Sequence, residues 1–171
     1  YGGYKYDGRW VAVVEQMRQH YNLPENASVL DVGCGKGFML HDFKEIMPGC
    51  SVAGLDVSEY AIENSMPTVK QFLKVASAEK LPYPDKSFDL VISINSIHNL
   101  PLEACKTALV EIERVSRGGS FITVDAWRNE QEHEDLLKWV LTAETYMHVD
   151  DWKKLFDQIG FSGDYYWFIA D

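Results

Sequence analysis

Val29-Leu30-Asp31-Val32-Gly33-Cys34-Gly35-Lys36-Gly37 is the stretch on which the fold turns. Ser28–Val32 is a short apolar run that reads as a strand. The three glycines at alternate positions after it let the backbone turn tightly and come close to a ligand. A dinucleotide fingerprint, G-x-G-x-x-G, would need glycine where Phe38 stands. A P-loop is excluded as well, because no Gly-Lys-Ser/Thr follows. Taken alone, the segment is equally a plain strand-to-helix turn.

Outward from this turn, strands and helices alternate. Trp10, Val14, Met17 and Tyr21 recur at helical spacing before Leu23-Pro24. Residues 38–47 form an amphipathic helix stopped by Pro48-Gly49. Ser51–Asp56 is a second strand, and Ser58 caps a helix that ends before Pro67. A third strand is expected at 72–76 and a proline-broken loop at 81–85. Residues 88–94 are almost continuously apolar, as suits a central strand buried on both faces. Leu102–Val115 is helical and ends before Gly118-Gly119. A fifth strand at 120–124, helices at 132–143 and 150–159, and a last strand at 165–169 complete the chain. This alternation predicts an α/β fold: a doubly wound, mostly parallel sheet of about six strands with helices on both faces.

The 171 residues fit one domain over 1–171, with an arm and helix at 1–22, a core at 28–125 and a C-terminal part at 126–171. With 46% apolar and 13% aromatic residues the chain has the composition of a folded globular domain. The net charge of −10 disfavours a nucleic-acid backbone or an anionic membrane as partner. No apolar run approaches the roughly 20 residues of a membrane span, so no membrane insertion is expected. Cys34, Cys50 and Cys105 are odd in number and hold no C-x-x-C. They predict no disulfide framework and no metal site, and a cytoplasmic location. The chain opens on Tyr1 rather than Met, so a preceding segment is expected.

Asp56 ends the second strand, about 20 residues beyond the glycine turn, where a carboxylate is placed to accept both hydroxyls of a ribose. The competing reading is a carboxylate favoured by the start of the next helix. Further segments follow: Gly54-Leu55-Asp56-Val57, Ala78-Glu79-Lys80-Leu81-Pro82, Ser87-Phe88-Asp89-Leu90-Val91, and Glu111-Ile112-Glu113-Arg114-Val115 with Gly118-Gly119. With the glycine turn, in this order and spacing, they resemble the class I S-adenosylmethionine-dependent methyltransferases. The similarity is to the small-molecule subgroup of ubiquinone and menaquinone biosynthesis methyltransferases.

That resemblance implies a Rossmann-like methyltransferase fold of six to seven strands. It implies S-adenosylmethionine as cofactor and S-adenosylhomocysteine as product. Gly33, Gly35 and Gly37 would lie against the methionine and ribose, Asp31 would order the turn, and Asp56 would hold the ribose hydroxyls. Val57 would pack on the adenine face, Ala78 and Glu79 would border its edge, and Asn95 would lie near the sulfonium. Three departures stand out: Ser77 where the family often has an acid, Ser116-Arg117 before the paired glycines, and a tail after Gly160 short for the family's closing hairpin.

On the acceptor side, His98 follows the fourth strand and is the candidate general base, with an ordinary pKa near 6.5; the equal alternative is a hydrogen-bonded histidine at the start of a helix, and the resemblance implies that many such enzymes need no base. Tyr4, Tyr6 and Trp10 belong to an aromatic, glycine-rich arm that reads either as a lid or as an extended arm packed on the sheet edge, and as a lid Arg9 would pair with the cofactor's carboxylate. Asp125, Trp127 and Arg128, after the fifth strand, would touch the acceptor. The expected reaction is methyl transfer to a small molecule at oxygen or nitrogen, in a pocket roofed by the arm and the segment at 129–149. A second subunit in a homodimer would add to that roof. The alternatives are a non-catalytic cofactor-binding partner or sensor and, against the glycine spacing, an NAD(P)-dependent reductase.

Overall fold

The structure, a computed structural model, describes residues 5–170. Seven strands and six α-helices follow one another: α1 (Val11–His20), β1 (Ser28–Val32), α2 (Phe38–Ile46), β2 (Ser51–Asp56), α3 (Glu59–Glu63), β3 (Leu73–Val75), β4 (Leu90–Ile94), α4 (Leu102–Val115), β5 (Ser120–Trp127), α5 (Glu130–Trp139), β6 (Met147–His148), α6 (Val149–Ile159) and β7 (Asp164–Phe168). The strands run in the order β3-β2-β1-β4-β5, with β6 and β7 both paired to β5. Every pairing is parallel. The order reverses between β1 and β4, and ligands in such sheets sit outside the strand ends at that reversal.

Strand position follows from composition. Val29, Leu30, Val32, Leu90, Val91 and Ile92 are wholly or almost wholly buried, so β1 and β4 take the centre of the sheet. One face packs on α4 and α6 through Leu109, Ile112, Trp152 and Phe156. The other packs on α1 and α2 through Val14, Met17, Leu40 and Phe43. Burying each such side chain contributes about 1.5–3 kcal/mol. The result is a rigid floor for the loops at the strand ends.

The structure departs from the sequence expectations at four places. β5 continues to Trp127 because β7 pairs along Phe121 to Asp125 and β6 pairs Ala126 and Trp127. β6 was not expected, since two residues carry no periodicity. β4 starts at Leu90, and Phe88 makes only an isolated bridge to Ser116. α5 begins early because the Asn129 side chain accepts from the Glu132 amide, and it ends at Trp139. Among the described residues, no helix is long and apolar enough to cross a membrane.

Candidate functional site

The glycine turn after β1 is held from beneath. The amides of Gly33 and Cys34 both donate to the Leu55 carbonyl, at 2.8 and 2.9 Å. Gly33, Gly35 and Gly37 have φ of +82°, +52° and +73°, a region that costs other residues about 1–2 kcal/mol. A Cβ on Gly33 would overlap the Ser96 hydroxyl, and one on Gly37 would press on Leu73 and Val69. A Cβ on Gly35 would meet nothing, because that position faces an open cleft.

Asp56 closes the other side of the turn. Its Oδ2 accepts from the Gly35 amide at 2.8 Å, and its Oδ1 accepts from the Ser58 amide at 2.9 Å. Two backbone bonds therefore fix the carboxylate, and each oxygen keeps a free lone pair. Ser58 caps α3 by accepting from the Ala61 amide.

Two clefts open on these residues. The larger, about 620 Å³, is lined by Asp31, Gly33, Gly35 and Lys36, with Trp10, Phe38, Tyr60 and Leu141 as apolar walls. The smaller, about 290 Å³, is lined by Asp56, Val57, Ala76, Ala78, Ile97 and Leu100. Gly33 and Asn95 border both. Val57, 69% exposed, offers the smaller cleft an apolar flank.

Asp31 is 5% exposed, and among the described residues no donor bonds its carboxylate. Burial, and then the negative charge of Asp56, push its pKa up to about 7. Together the clefts suit a ligand with a flat ring at one end, hydroxyls in the middle and a cationic group near Asp31. Among the described residues, no three His, Cys, Asp or Glu side chains converge to hold a metal ion.

The structure brings Asp31, Gly33, Gly35, Asp56, Val57, Ala78 and Asn95 to the clefts. Gly37 stands one step behind, as the residue before α2. The structure places the other expected residues differently. Glu79 points to solvent and bonds Ser77, so only Ala78 of that pair lines a cleft. Arg9 grips Asp7 through two nitrogens rather than facing a cleft. Tyr6 donates to Asp42 and packs edge-on against Phe38 and His41, docking the arm on α2. Tyr4 lies outside the described residues.

His98 is 4% exposed and lines neither cleft. Its Nδ1 accepts the Asp125 amide at 3.2 Å, its carbonyl accepts the amides of Glu144 and Thr145, and its Nε2 lies 3.8 Å from Asp125 Oδ2. Burial lowers its pKa to about 4 and raises that of Asp125 to about 6. The pair ties β4, β5 and the 140–146 segment together from inside. Asp125 accordingly faces the interior, its carbonyl accepting from the Trp152 indole. Trp127 stacks on His133 at 4.1 Å, and Arg128 pairs with Glu132.

Sequence reasoning missed Phe38, Tyr60 and Leu141 as cleft walls, and Thr123, whose hydroxyl bonds Asn95. Leu141 lies in the 129–149 segment expected to roof the pocket, but the helix expected over 132–143 hid it: α5 ends at Trp139 and leaves Leu141 87% exposed.

The sequence profile of a methyltransferase domain family matches residues 30–124. A tRNA (carboxymethyluridine(34)-5-O)-methyltransferase of Arabidopsis thaliana is 35% identical over 133 residues, 77% of this chain and 31% of that protein. A demethylmenaquinone methyltransferase of Lactiplantibacillus plantarum is 34% identical over 114 residues, 62% of this chain and 47% of that protein. The chain thus spans a third to a half of these relatives. The crystal structure of the YcgJ protein from Bacillus subtilis superposes with a TM-score of 0.68 at 21% identity, over 86% of this chain and 67% of that one. By its profile match and its fold, the chain belongs to the methyltransferase domain family, in the class I form whose methyl donor is S-adenosylmethionine.

Proposed function

We propose that the chain transfers the methyl group of S-adenosylmethionine to a small-molecule acceptor, at oxygen or nitrogen. The observation that carries this reading is the larger cleft, whose volume is in the range of small-ligand sites. It continues from the glycine turn to walls made by Trp10, Phe38, Tyr60 and Leu141. The demethylmenaquinone methyltransferase among the relatives supports a small acceptor too.

The cofactor supplies a methyl group made electrophilic by its sulfonium. The chain's own residues do the rest. Asp56, held by two amides, accepts from the ribose hydroxyls. The left-handed glycines let the backbone approach. Val57 and Ala78 flank the adenine ring, and Asp31 meets the ammonium of the methionine part. No histidine is among the described residues lining either cleft. Rate enhancement then comes mainly from holding the acceptor in line and excluding water.

An RNA acceptor is the second reading, favoured by the Arabidopsis relative. The net charge of −10 weighs against it, since binding a phosphate backbone needs a basic face. The test follows radiolabelled methyl from S-adenosylmethionine into a small-molecule library and into total tRNA, side by side. Label in a small molecule is the expected result. Label in tRNA alone would overturn the small-acceptor reading, and cofactor binding with no transfer to either would favour a non-catalytic subunit.

A further inference from the structure

Asn95 shares with Gly33 the border between the two clefts. It has a left-handed backbone, φ +48°, directly at the end of β4. Such a residue persists only where its surroundings hold it. Here the holder is Thr123 of β5, 8% exposed. The Thr123 hydroxyl accepts the Asn95 amide at 2.8 Å and donates to the Asn95 Oδ1 at 2.6 Å. The same amide also reaches the Thr123 carbonyl at 3.2 Å.

A threonine hydroxyl has one proton to give. Giving it to Oδ1 fixes which way the carboxamide faces: oxygen toward β5, the two N–H donors away from it. Among the described residues no group accepts those donors, and they are not sealed in the interior. They open where the clefts meet. An N–H donor repels a cationic sulfonium and matches an oxygen lone pair.

We propose that Thr123 is a positioning residue. It sets the backbone and the amide orientation of Asn95 so that the carboxamide donates to an oxygen of the cofactor lying across the two clefts. This rests on the cofactor placement proposed above.

The test is calorimetric titration with S-adenosylhomocysteine of the wild type, Thr123→Val, Thr123→Ser, Asn95→Ala, Asn95→Asp and the Thr123→Val/Asn95→Ala double variant, with thermal midpoints alongside. Valine keeps the shape of threonine and removes both side-chain bonds. Losing one well-aimed hydrogen bond weakens binding by about tenfold. Thr123→Val and Asn95→Ala should each show that loss, Thr123→Ser should bind like wild type, and the double variant should lose no more than either single one. Asn95→Asp keeps the acceptor for Thr123 but removes the donors. It should lose at least as much while folding normally, which keeps the proposal testable if the valine variant is unstable. Wild-type affinity in Thr123→Val or Asn95→Asp, or losses that add in the double variant, would overturn the positioning role. A wild type that binds no S-adenosylhomocysteine would instead overturn the cofactor placement itself.

Discussion

After β1 and β2 the chain meets its cleft mainly with backbone: two amides on the Leu55 carbonyl, three left-handed glycines and a carboxylate fixed by the Gly35 and Ser58 amides. Beyond β4 and around the end of β5 its side chains pair with one another instead. His98 and Asp125 face each other in the interior, Trp127 stacks on His133, and Arg128 is spent on Glu132. The first region builds the cleft surface from groups whose positions follow from local spacing. The second holds the 140–146 segment in place and lines neither cleft. Both regions end parallel strands at the same edge of the sheet, so placement at a strand end is not by itself a sign of contact.

The largest effect that would sharpen this contrast is expected at Gly33. Gly33→Ala must adopt a left-handed φ and displace Ser96. We expect a stability loss of about 2–4 kcal/mol, from backbone strain and overpacking together. S-adenosylhomocysteine binding should vanish. Chemical denaturation and calorimetry read the two effects separately. Next comes Asp56→Ala, which removes a carboxylate acceptor worth about 1.5–3 kcal/mol per charged bond, so binding should weaken by about 100-fold or more.

Asp31 should make binding depend on pH. Its folded pKa is raised to about 7, so below that value the free protein carries it protonated. Meeting the cofactor's ammonium then requires expelling a proton. Affinity for S-adenosylhomocysteine should rise as pH increases toward 7, by up to about tenfold per pH unit, and level off above it. Asp31→Asn should bind more weakly and lose that slope. A flat wild-type profile between pH 5.5 and 8, read by titration, would remove Asp31 from the site.

His98→Gln tests the second region. The folded pKa of His98 is depressed to about 4, so its stabilising effect is present above its unfolded value near 6.5 and fades as pH falls toward 4. The stability gap between wild type and variant, about 1–3 kcal/mol at pH 7.5, should narrow in urea unfolding at pH 4.5. Asp125, with its pKa raised, works in the opposite sense over the same window and masks part of the trend in the wild type. Cofactor affinity in His98→Gln should stay within about twofold. The smallest effect is expected for Trp127→Ala, which removes a stack on His133 and should leave cofactor affinity unchanged. A large loss of affinity in either variant would break the contrast.

The legible part of the molecule was the part written in short-range pattern. Ser28–Val32, Ser51–Asp56 and Leu102–Val115 fall where the periodicity puts them, and the Ser58 cap is where its residue type predicts. The glycine turn and Asp56 were readable because both sit at strand ends that composition alone locates. The cleft walls were not, because Tyr60 and Leu141 reach the cleft from elements far apart in sequence. His98 illustrates the limit most clearly. Its position after β4 was readable, but whether its ring points to the cleft or to Asp125 depends on how the 140–146 segment packs. Two amides of that segment bind the His98 carbonyl and close it off. β6 escaped for a simpler reason, since its two residues gain their strand geometry only from the end of β5.

The most direct test of the central claim, that the glycine turn and Asp56 form the cofactor site, is a calorimetric titration of wild type and Asp56→Ala with S-adenosylhomocysteine at pH 8. Saturable one-to-one binding in the wild type, weakened about 100-fold or more in the variant, is the predicted result. No binding by the wild type, or equal binding by both proteins, would contradict it.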